Sequence, residues 1–348
     1  MSGTSAVGSG SERAIETGSR LAGRPVTAAI PARPGGNNRV FCLNMADGSR
    51  LALKYYPPDN RDRLGQEYEA LSFLAKHGVE LTPRPLANDR GENCALYEWF
   101  DGEAAVLHPQ PDDVDQLADF LIELQKLRDA DGVGNLRTAS AGTFSPAQAL
   151  GQCEQRLGRL IKQASDNLEL RAFLDNKLAP SATLAGARVE ERLAKLELDP
   201  ATELAPAQRA LSPSDFGLHN AMRSETGELR FVDFEYFGWD DPVKLMSDTA
   251  LHPGSDFPEV SAKRLIGRLS REFETRDATF AVRRDVLYPV FGLIWCLIIL
   301  NDFLPESRSR RDLAGRDGEL GAILARQLDK ARRLHQAICQ IDPDLTPR

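Results

Sequence analysis

LSPSDFGLHN occupies residues 211–220, and LRFVDFEY occupies residues 229–236. Within them Asp215 and Asn220 stand five positions apart, and Asp233 follows thirteen positions later at the end of a short apolar run. A carboxylate can accept the proton of an attacking hydroxyl, and carboxylate and amide oxygens suit Mg²⁺. We therefore predict Asp215 as a catalytic base and Asn220 and Asp233 as magnesium ligands. Turn-forming Asp and Asn residues would explain each residue alone, but not their joint spacing.

A lysine and a glutamate earlier in the chain support this interpretation. Lys54 ends the strand-like run LALK, so its side chain can project from one face of a sheet. Glu67 follows thirteen residues later in a predicted helix, which could direct it at the lysine. Glu69 is the rival, two positions on and therefore on a different helix face. We prefer Glu67, because apolar neighbours would pack it inward. An exposed lysine and solvated glutamates are the alternative.

Two further stretches fit a site for ATP, whose phosphoryl transfer requires a carboxylate at the hydroxyl, magnesium ligands and a cation for the phosphates. PGGNNR at 34–39 could bring backbone close to phosphate oxygens, although in isolation it is more typical of a plain loop. LYEWF at 96–100 is a strand that could offer backbone groups to adenine, or an ordinary buried strand. The predicted ATP contacts are Lys54, Glu67, Gly35, Gly36, Asn37, Asn38, Glu98 and Phe100.

The composition argues against several classes of protein. The chain has 348 residues, with 42% hydrophobic and 27% charged residues, as is typical of a globular protein. Its net charge of −8 argues against nucleic-acid binding. The longest apolar run, Val286–Leu300, is shorter than the roughly 20 residues of a membrane helix, so we predict a buried helix and no membrane association. Five cysteines without a C-x-x-C pair predict free thiols in the cytoplasm.

The pattern of secondary structure changes near residue 100. Strand-like runs come first, at Arg39–Leu43, Leu51–Tyr56, Arg84–Ala87 and Cys94–Trp99, with a helix over Asp62–His77. Helical patterns follow over Asp112–Leu127, Pro146–Ala164, Leu168–Leu178, Val189–Leu198 and from about Val260 onward. The Ser- and Gly-rich start has no apolar core. We predict a disordered leader at 1–20, a β-rich, ATP-binding N-lobe at 21–101 and a helical, catalytic C-lobe at 102–348.

These features resemble the aminoglycoside phosphotransferase and choline kinase superfamily of small-molecule kinases. The resemblance runs from about Gly35 to Asp248 and rests on GGNNRV, LALK, QEYEAL, LYEWFDG, SDFGLHN and FVDFEYFGWDDP. It implies an α+β, protein-kinase-like two-lobed fold with a β-rich N-lobe and a helical C-lobe. It also implies ATP and Mg²⁺ as cofactors, with the roles given above for Asp215, Asn220, Asp233, Lys54 and Glu67. The DFEY wording is closer to choline and ethanolamine kinases than to typical antibiotic kinases.

Two positions depart from the pattern of that superfamily. Its members usually carry His-Gly before the catalytic aspartate, where this chain has Pro213-Ser214. Many relatives also have an aspartate three residues after the later Asp-Pro, where this chain has Leu245, and the nearest acid is Asp248. The sequence therefore leaves open which residue braces the catalytic loop. Glu235 could contact a second metal or close the turn.

The acceptor is predicted to be a hydroxyl of a sugar, amino sugar, amino alcohol or aminoglycoside. The candidate acceptor residues are Asp240, Asp241, Trp295, Asn301 and Asp302. A core helix and its end would equally explain most of them. Two other functions compete with a small-molecule kinase. One is a catalytically weak nucleotide-binding regulatory protein, suggested by the altered residues before Asp215. The other is a protein kinase or nucleotidyl transferase, and a protein kinase is disfavoured because no A-P-E segment follows Asp233.

Overall fold

The computed structural model describes residues 4–32, 39–58, 61–164, 167–255, 257–305 and 320–346. The chain divides into two units. The first contains Met1–Pro109, Asp129–Arg137 and Leu218–Gly238, and the second contains Gln110–Arg128, Thr138–Gly217 and Trp239–Arg348. The candidate site residues are divided in the same way. The first unit holds Lys54, Glu67, Asn220 and Asp233, and the second holds Asp215.

An antiparallel five-stranded sheet forms the centre of the first unit. Its strands are β1 (Val26–Pro31), β2 (Arg39–Met45), β3 (Arg50–Tyr55), β4 (Pro85–Asp89) and β5 (Cys94–Glu98), in the order β1-β2-β3-β5-β4. The turn from β2 to β3 contains Gly48, whose φ of 83° is the left-handed conformation that Asp-Gly turns favour.

Two helices cover the two faces of this sheet. α1 (Thr4–Ala22) and α2 (Arg63–Lys76) precede and follow the first three strands. Because side chains alternate along a strand, Leu51 and Leu53 share a core with Ala14 of α1. Lys54 points to the opposite face, where it meets Glu67 of α2. The alternation in LALK therefore places the leucines of β3 on one face of the sheet and Lys54 on the other.

The prediction of a disordered leader at 1–20 is wrong for residues 4–20, because they belong to the packed helix α1. Ala14, Thr17, Gly18 and Leu21 recur at helical spacing, and Ala14 and Thr17 are buried. A Cβ placed on Gly18 would lie 2.4 Å from Leu43 Cδ1, so the glycine allows α1 to approach the sheet closely. The small residues that suggested disorder are here what packing requires.

A second, smaller sheet extends the first unit beyond the predicted boundary at 101–102. It contains β6 (Glu103–Ala104), β8 (Ala221–Arg223) and β9 (Leu229–Phe231), antiparallel in the order β6-β8-β9. A Cβ on Gly102 would lie 2.2 Å from the carbonyl oxygen of Arg223, so the chain enters this sheet at a position that requires glycine. The pairing of β6 with β8 places residues 218–238 in the first unit.

The second unit is mainly helical. Its helices are α3 (Asp113–Gln125), α4 (Pro146–Gln163), α5 (Leu168–Phe173), α6 (Ala179–Ala194), α7 (Pro242–Leu251), α8 (Glu259–Glu274), α9 (Phe280–Ile299) and α10 (Leu320–Ile341). The short strands β7 (Ala210–Ser212) and β10 (Gly238–Asp240) pair with each other. A π-helical turn at Leu174–Leu178 joins α5 to α6, so the predicted break between residues 178 and 189 is wrong. The predicted α+β class is confirmed.

Shorter 3₁₀ turns connect these elements, at Ala105–Leu107, Val133–Asn135, Pro206–Gln208, Leu218–Asn220, Leu300–Phe303 and Pro343–Leu345. α7 was not predicted, although Asp241 and Pro242 carry a helix-start signal. The Asp241 side chain accepts a hydrogen bond from Val243 N at 2.7 Å, and Pro242 occupies the first helical turn.

α9 forms the centre of the second unit. Within the described residues, Phe280–Phe303 is the single helical segment long and apolar enough to cross a membrane, and 83% of its apolar window is buried inside the structure. Gly292 lies directly against Ile338 of α10, where a Cβ would approach Ile338 Cδ1 to 2.3 Å. The prediction of a buried helix at Val286–Leu300 is therefore confirmed.

Candidate active site

Lys54 lies at the centre of an ionic cluster in the first unit. It is 6% exposed, and its Nζ donates to Glu67 Oε2 at 2.5 Å and to Asp233 Oδ1 at 2.7 Å. Glu235 Oε2 lies 3.9 Å from the same nitrogen. A strand and a helix supply one member each, and the turn after β9 supplies both Asp233 and Glu235. The structure thus brings together three of the predicted site residues.

Further hydrogen bonds fix Glu67 in this position. Its Oε2 also accepts from the hydroxyl of Tyr56 at 2.7 Å, and its Oε1 accepts from the backbone amide of Phe234 at 3.0 Å. The Tyr56 hydroxyl lies 2.6 Å from that of Tyr97. Sequence reasoning missed Tyr56, although it lies two residues after Lys54 and therefore on the same side of the strand. Glu69, the rival of Glu67, pairs with Arg137 at an exposed position.

The charges of this cluster shift the pKa of two of its members. Burial opposes the charge of Lys54, but Asp233, Glu67 and Glu235 outweigh it and hold the pKa of Lys54 well above its usual range. Burial, together with the neighbouring charges of Glu235 and Glu67, raises the pKa of Asp233 to about 6, although Lys54 opposes the shift. The lysine is thus charged at neutral pH and partly offsets the carboxylates around it.

Asp233 is the member of the cluster that remains accessible. Its side chain is 33% exposed, whereas those of Glu67 and Glu235 are buried. Asp233 is the second residue after β9, and its φ of 69° is a left-handed conformation that is uncommon outside glycine. The turn Leu218–Asn220 is tied to the same segment, because the carbonyl of Asn220 accepts from Val232 N at 2.9 Å.

The donor set around Asp233 fits a magnesium ion. Carboxylate oxygens of Glu67, Asp233 and Glu235 lie within 4.8 Å of one another, which concentrates negative charge at one exposed carboxylate. Mg²⁺ is usually held by one or two protein carboxylates together with phosphate and water. Glu67 and Glu235 are buried and held by protein partners, so Asp233 is the carboxylate of this set with an accessible face. The roles of Asp233 and Asn220 as magnesium ligands stay predictions.

Glu235 is held by an arginine that sequence reasoning also missed. Arg63 is buried and forms an ion pair with Glu235. The guanidinium also donates to the hydroxyl of Tyr236 and lies 5.1 Å from the centre of its ring. Arg63 precedes Glu67 by four residues on α2, so helical spacing places both on one face. These contacts favour the turn-closing interpretation of Glu235.

Asp215 lies in the second unit, in the loop after β7. Gln125 of α3 binds the strand before it, because its side chain accepts from Leu211 N at 3.1 Å and donates to Leu211 O at 2.9 Å. Ser214 has a φ of 68°, and its amide donates to Ser212 Oγ at 3.0 Å. His252 Nε2 lies 3.0 Å from Asp215 Oδ1. Nothing in the sequence pattern indicated His252, which follows the unpredicted α7.

The assignment of Asp240 and Asp241 to the acceptor site is not supported by the structure. Asp240 is 0% exposed, and it binds Lys244 at 3.0 Å and Thr143 N at 2.9 Å. Asp241 is also buried, and it pairs with Arg283 at 2.6 Å. Burial raises the pKa of Asp240 to about 6, although Lys244 opposes the shift. Both carboxylates therefore serve the interior of the second unit.

The remaining acceptor candidates lie at one end of α9. Trp295 is mostly buried, and its Nε1 donates to Asp248 Oδ1 at 2.9 Å. Asn301 and Asp302 are partly exposed in the turn that follows α9, and Asp302 accepts from Gln327. Their role in acceptor binding stays a prediction.

The predicted nucleotide contacts outside the cluster have mixed outcomes. Gly35, Gly36, Asn37 and Asn38 lie outside the described residues. Glu98 ends β5, and its amide donates to Arg84 O at 2.9 Å. Phe100 is buried under the guanidinium of Arg230, 5.0 Å from its ring centre. Adenine binding at this strand stays a prediction.

The chain resembles known proteins in both sequence and structure. Residues 29–244 match the model of the phosphotransferase enzyme family. No curated protein sequence matches the chain significantly. Similar solved structures include choline kinase LicA from Streptococcus pneumoniae, with 14% identity, a TM-score of 0.57 and 94% of this chain and 99% of that chain covered.

Two further structures extend this likeness. Spectinomycin phosphotransferase APH(9)-Ia, in complex with ADP and spectinomycin, is 13% identical with a TM-score of 0.59, and the match covers 94% of this chain and 98% of that one. A choline/ethanolamine kinase family protein from Mesorhizobium loti is 17% identical with a TM-score of 0.56, and the match covers 90% and 92%. These likenesses confirm the predicted protein-kinase-like fold.

Proposed function

We propose that this chain, which belongs to the phosphotransferase enzyme family, moves the γ-phosphate of ATP to a hydroxyl of a small polar molecule. The resemblance to the aminoglycoside phosphotransferase and choline kinase superfamily is confirmed by the family match and the solved structures together. The enzyme is a phosphotransferase, and its nucleotide, metal and acceptor are the parts of this proposal that need experiment.

The Lys54–Glu67–Asp233 cluster carries the proposal. A buried lysine that is held charged by two carboxylates is a fixed cation, and a fixed cation suits the phosphates of a nucleotide. Glu67 prevents Lys54 from adopting other rotamers, because its own oxygens are fixed by Tyr56 and by the amide of Phe234. A purely structural ion pair would not require the exposed face that Asp233 retains.

Asp215, Asn220 and Asp233 complete the proposed chemistry. Asp215 would orient the acceptor hydroxyl and accept its proton, since phosphoryl transfer relies mainly on positioning and electrostatics. Asp233 and Asn220 would hold Mg²⁺. A bound Mg²⁺ would supply positive charge against the charge that develops on the transferred phosphoryl group.

The proposed acceptor is a sugar, an amino sugar, an amino alcohol or an aminoglycoside. The solved relatives include kinases named for choline, ethanolamine and spectinomycin, which together span amino alcohols and antibiotics. We place the reaction in the cytoplasm, because the five cysteines are free thiols and four of them are buried.

An acceptor screen with Mg-ATP tests the proposal. Purified protein is mixed with each compound of these four classes, and ADP release is measured with and without the acceptor. We expect one class to raise ADP release, and Asp215→Asn to abolish the increase. Asp131→Asn, at an exposed aspartate of the first unit, is the matched control and should leave turnover unchanged. Full turnover in Asp215→Asn would exclude the role proposed for Asp215.

A nucleotide-binding regulatory protein is the second candidate. The loop before Asp215 favours it, because Pro213-Ser214 replace the usual His-Gly and Ser214 holds a left-handed conformation there. In that case Mg-ATP would raise the melting temperature of the protein, and no compound would stimulate ADP release. Retention of Asn220 and Asp233 argues against it, since binding without transfer does not require both ligands.

A further inference from the structure

We propose that His252 is a positioning residue for Asp215, to which it donates a hydrogen bond from a neutral imidazole ring. The inference rests on the proposed function, because it assigns a partner to the proposed catalytic aspartate. All of the residues involved belong to the second unit. The role follows from the contacts of the two ring nitrogens: Nδ1 accepts a hydrogen bond from a backbone amide, and Nε2 lies beside the carboxylate of Asp215.

The hydrogen bonds of His252 determine its tautomer. The backbone amide of Gly254 donates to Nδ1 at 2.9 Å, so Nδ1 must carry a lone pair and no proton. In the neutral ring the proton is then on Nε2, which lies 3.0 Å from Asp215 Oδ1. A backbone contact two residues further along the chain thus turns the ring into a donor toward the aspartate.

The position of the ring is fixed from its other side. Trp295 of α9 meets His252 edge to face, with 4.6 Å between ring centres and 78° between planes. Trp295 Nε1 donates to Asp248 Oδ1 at 2.9 Å, and Lys244 donates to Asp248 Oδ2 at 2.6 Å. The His252 side chain is 13% exposed. A chain of contacts therefore runs from the buried lysine of α7 to the loop of Asp215.

The two residues before Asp215 offer it no side-chain donor. Ser214 Oγ donates to the carbonyl of Ser140 at 3.3 Å, and Pro213 has no side-chain donor. A hydrogen bond to the charged form of a carboxylate favours that form, and it also limits rotation of the side chain. His252 would therefore hold Asp215 ionised and oriented while it contacts no reacting atom itself.

Two substitutions test whether His252 acts as a hydrogen-bond donor or as a group that must gain and lose a proton. His252→Gln keeps an N–H near the position of Nε2 but cannot titrate, whereas His252→Leu removes the donor. We expect His252→Leu to lower kcat roughly 10- to 100-fold, with the KM for ATP unchanged within about twofold, since loss of orientation acts on the chemical step. His252→Gln should retain kcat within about fivefold of the original protein. His108→Leu, at an exposed histidine of the first unit, is the control.

Two results would overturn the proposal. His252→Leu could turn over as fast as the original protein, or His252→Gln could lose as much kcat as His252→Leu. Thermal unfolding of each variant identifies loss of fold.

A measurement without turnover tests the contact itself. In the ¹⁵N–¹H spectrum of histidine-labelled protein, the signal absent from His252→Gln belongs to His252. We expect it to show the Nε2–H tautomer, and to shift in Asp215→Ala. An Nδ1–H tautomer, or a signal that Asp215→Ala leaves unchanged, would disprove the hydrogen bond. Because this spectrum needs no acceptor, it separates failure of this proposal from failure of the proposed function.

Discussion

Each unit of the molecule contains a buried lysine between two carboxylates, but the two clusters are built differently. In the first unit Lys54 meets Glu67 and Asp233, which lie 13 and 179 positions away in sequence. In the second unit Lys244 meets Asp240 and Asp248, each four positions away. The same charges therefore arise once from three separate elements and once from α7 together with the last residue of β10, which lies two positions before that helix.

Exposure separates the two clusters more clearly than charge. Asp233 is one-third exposed, whereas Asp240 is completely buried and Asp248 nearly so. A buried cluster in which each oxygen binds a protein donor can stabilise the fold but cannot receive a ligand. The comparison teaches that an accessible carboxylate, rather than a shifted pKa, distinguishes a chemical site from a structural ion pair.

The largest expected effect is the loss of stability in Lys244→Met. Removal of one partner from a buried ionic cluster typically costs about 3–5 kcal/mol, because the remaining charges are buried without compensation. We expect a loss of this size at pH 7.5, measured by urea unfolding. Lys263→Met is the matched control, since Lys263 also pairs with a glutamate four positions before it, but at an exposed site. It should change the free energy of unfolding by less than about 0.5 kcal/mol.

The pH dependence of this loss has a defined sign. The folded-state pKa of Asp240 is about 6, above the unfolded value of about 3.9, and Lys244 holds it down. The folded state therefore binds more protons than the unfolded state, so this contribution to stability falls as pH rises from about 4 through 6. Without Lys244 the pKa rises further, and the loss should be smaller at pH 5 than at pH 7.5. A larger loss at pH 5 would contradict the assignment.

The second effect concerns activity and tests the other side of the comparison. Lys54→Met should lower kcat/KM by roughly 10²- to 10³-fold, about 3–4 kcal/mol, since it removes a preorganised cation from the proposed phosphate site. Its loss of stability should be smaller than that of Lys244→Met, because Asp233 is partly exposed and Glu67 keeps Tyr56. Lys76→Met, at an exposed lysine of α2, serves as the control. Equal loss of activity in Lys54→Met and Lys244→Met, after correction for the folded fraction, would contradict the assignment of one cluster to activity and the other to stability.

A smaller effect is expected from Tyr56→Phe. This change removes one hydrogen bond to the charged carboxylate of Glu67, worth about 1.5–3 kcal/mol. Since Lys54 and the amide of Phe234 still hold Glu67, we expect a loss near the lower limit, together with a decrease in kcat of less than about tenfold. Chemical unfolding and ADP release measure the two quantities. Unchanged stability would show that Glu67 is held without Tyr56.

The smallest effect is expected from Trp295→Phe in the second cluster. The ring is largely preserved, but Asp248 loses one donor, which should cost about 1 kcal/mol of stability. Trp99→Phe removes a similar bond, from Trp99 Nε1 to Asp101, at an exposed site and should cost less. Differential scanning calorimetry compares the two variants. A greater loss in Trp99→Phe would contradict the burial argument.

The sequence allowed most of the first cluster to be predicted and almost none of the second. Lys54, Glu67 and Asp233 occur in motifs with fixed spacing, and strand and helix periodicity was sufficient to orient the first two. Lys244 and His252 belong to α7 and the loop after it, where no amphipathic pattern is visible because nearly every residue of the helix is buried. Hydrophobic periodicity reveals a helix that has one solvent-exposed face, so it does not reveal a helix that is buried on all sides.

The other failures have separate physical causes. Asp240 and Asp241 were assigned to the acceptor site because acids near a catalytic motif suggest ligand binding, but burial is a property of the tertiary structure alone. The break predicted between residues 178 and 189 was wrong because the π-helical turn at Leu174–Leu178 leads directly into α6, which contains Pro180. Exposure and backbone irregularity are decided by neighbours that lie far away in sequence.

The close approach of α1 to the sheet has a practical consequence for anyone who prepares this protein. Gly18 lies directly against Leu43, and Ala14 shares the core of the sheet, so α1 covers the apolar face of β2 and β3. Deletion of α1 would expose the apolar face of β2 and β3 to water, and the shortened protein should aggregate. An affinity tag is therefore better fused ahead of the intact helix than substituted for it.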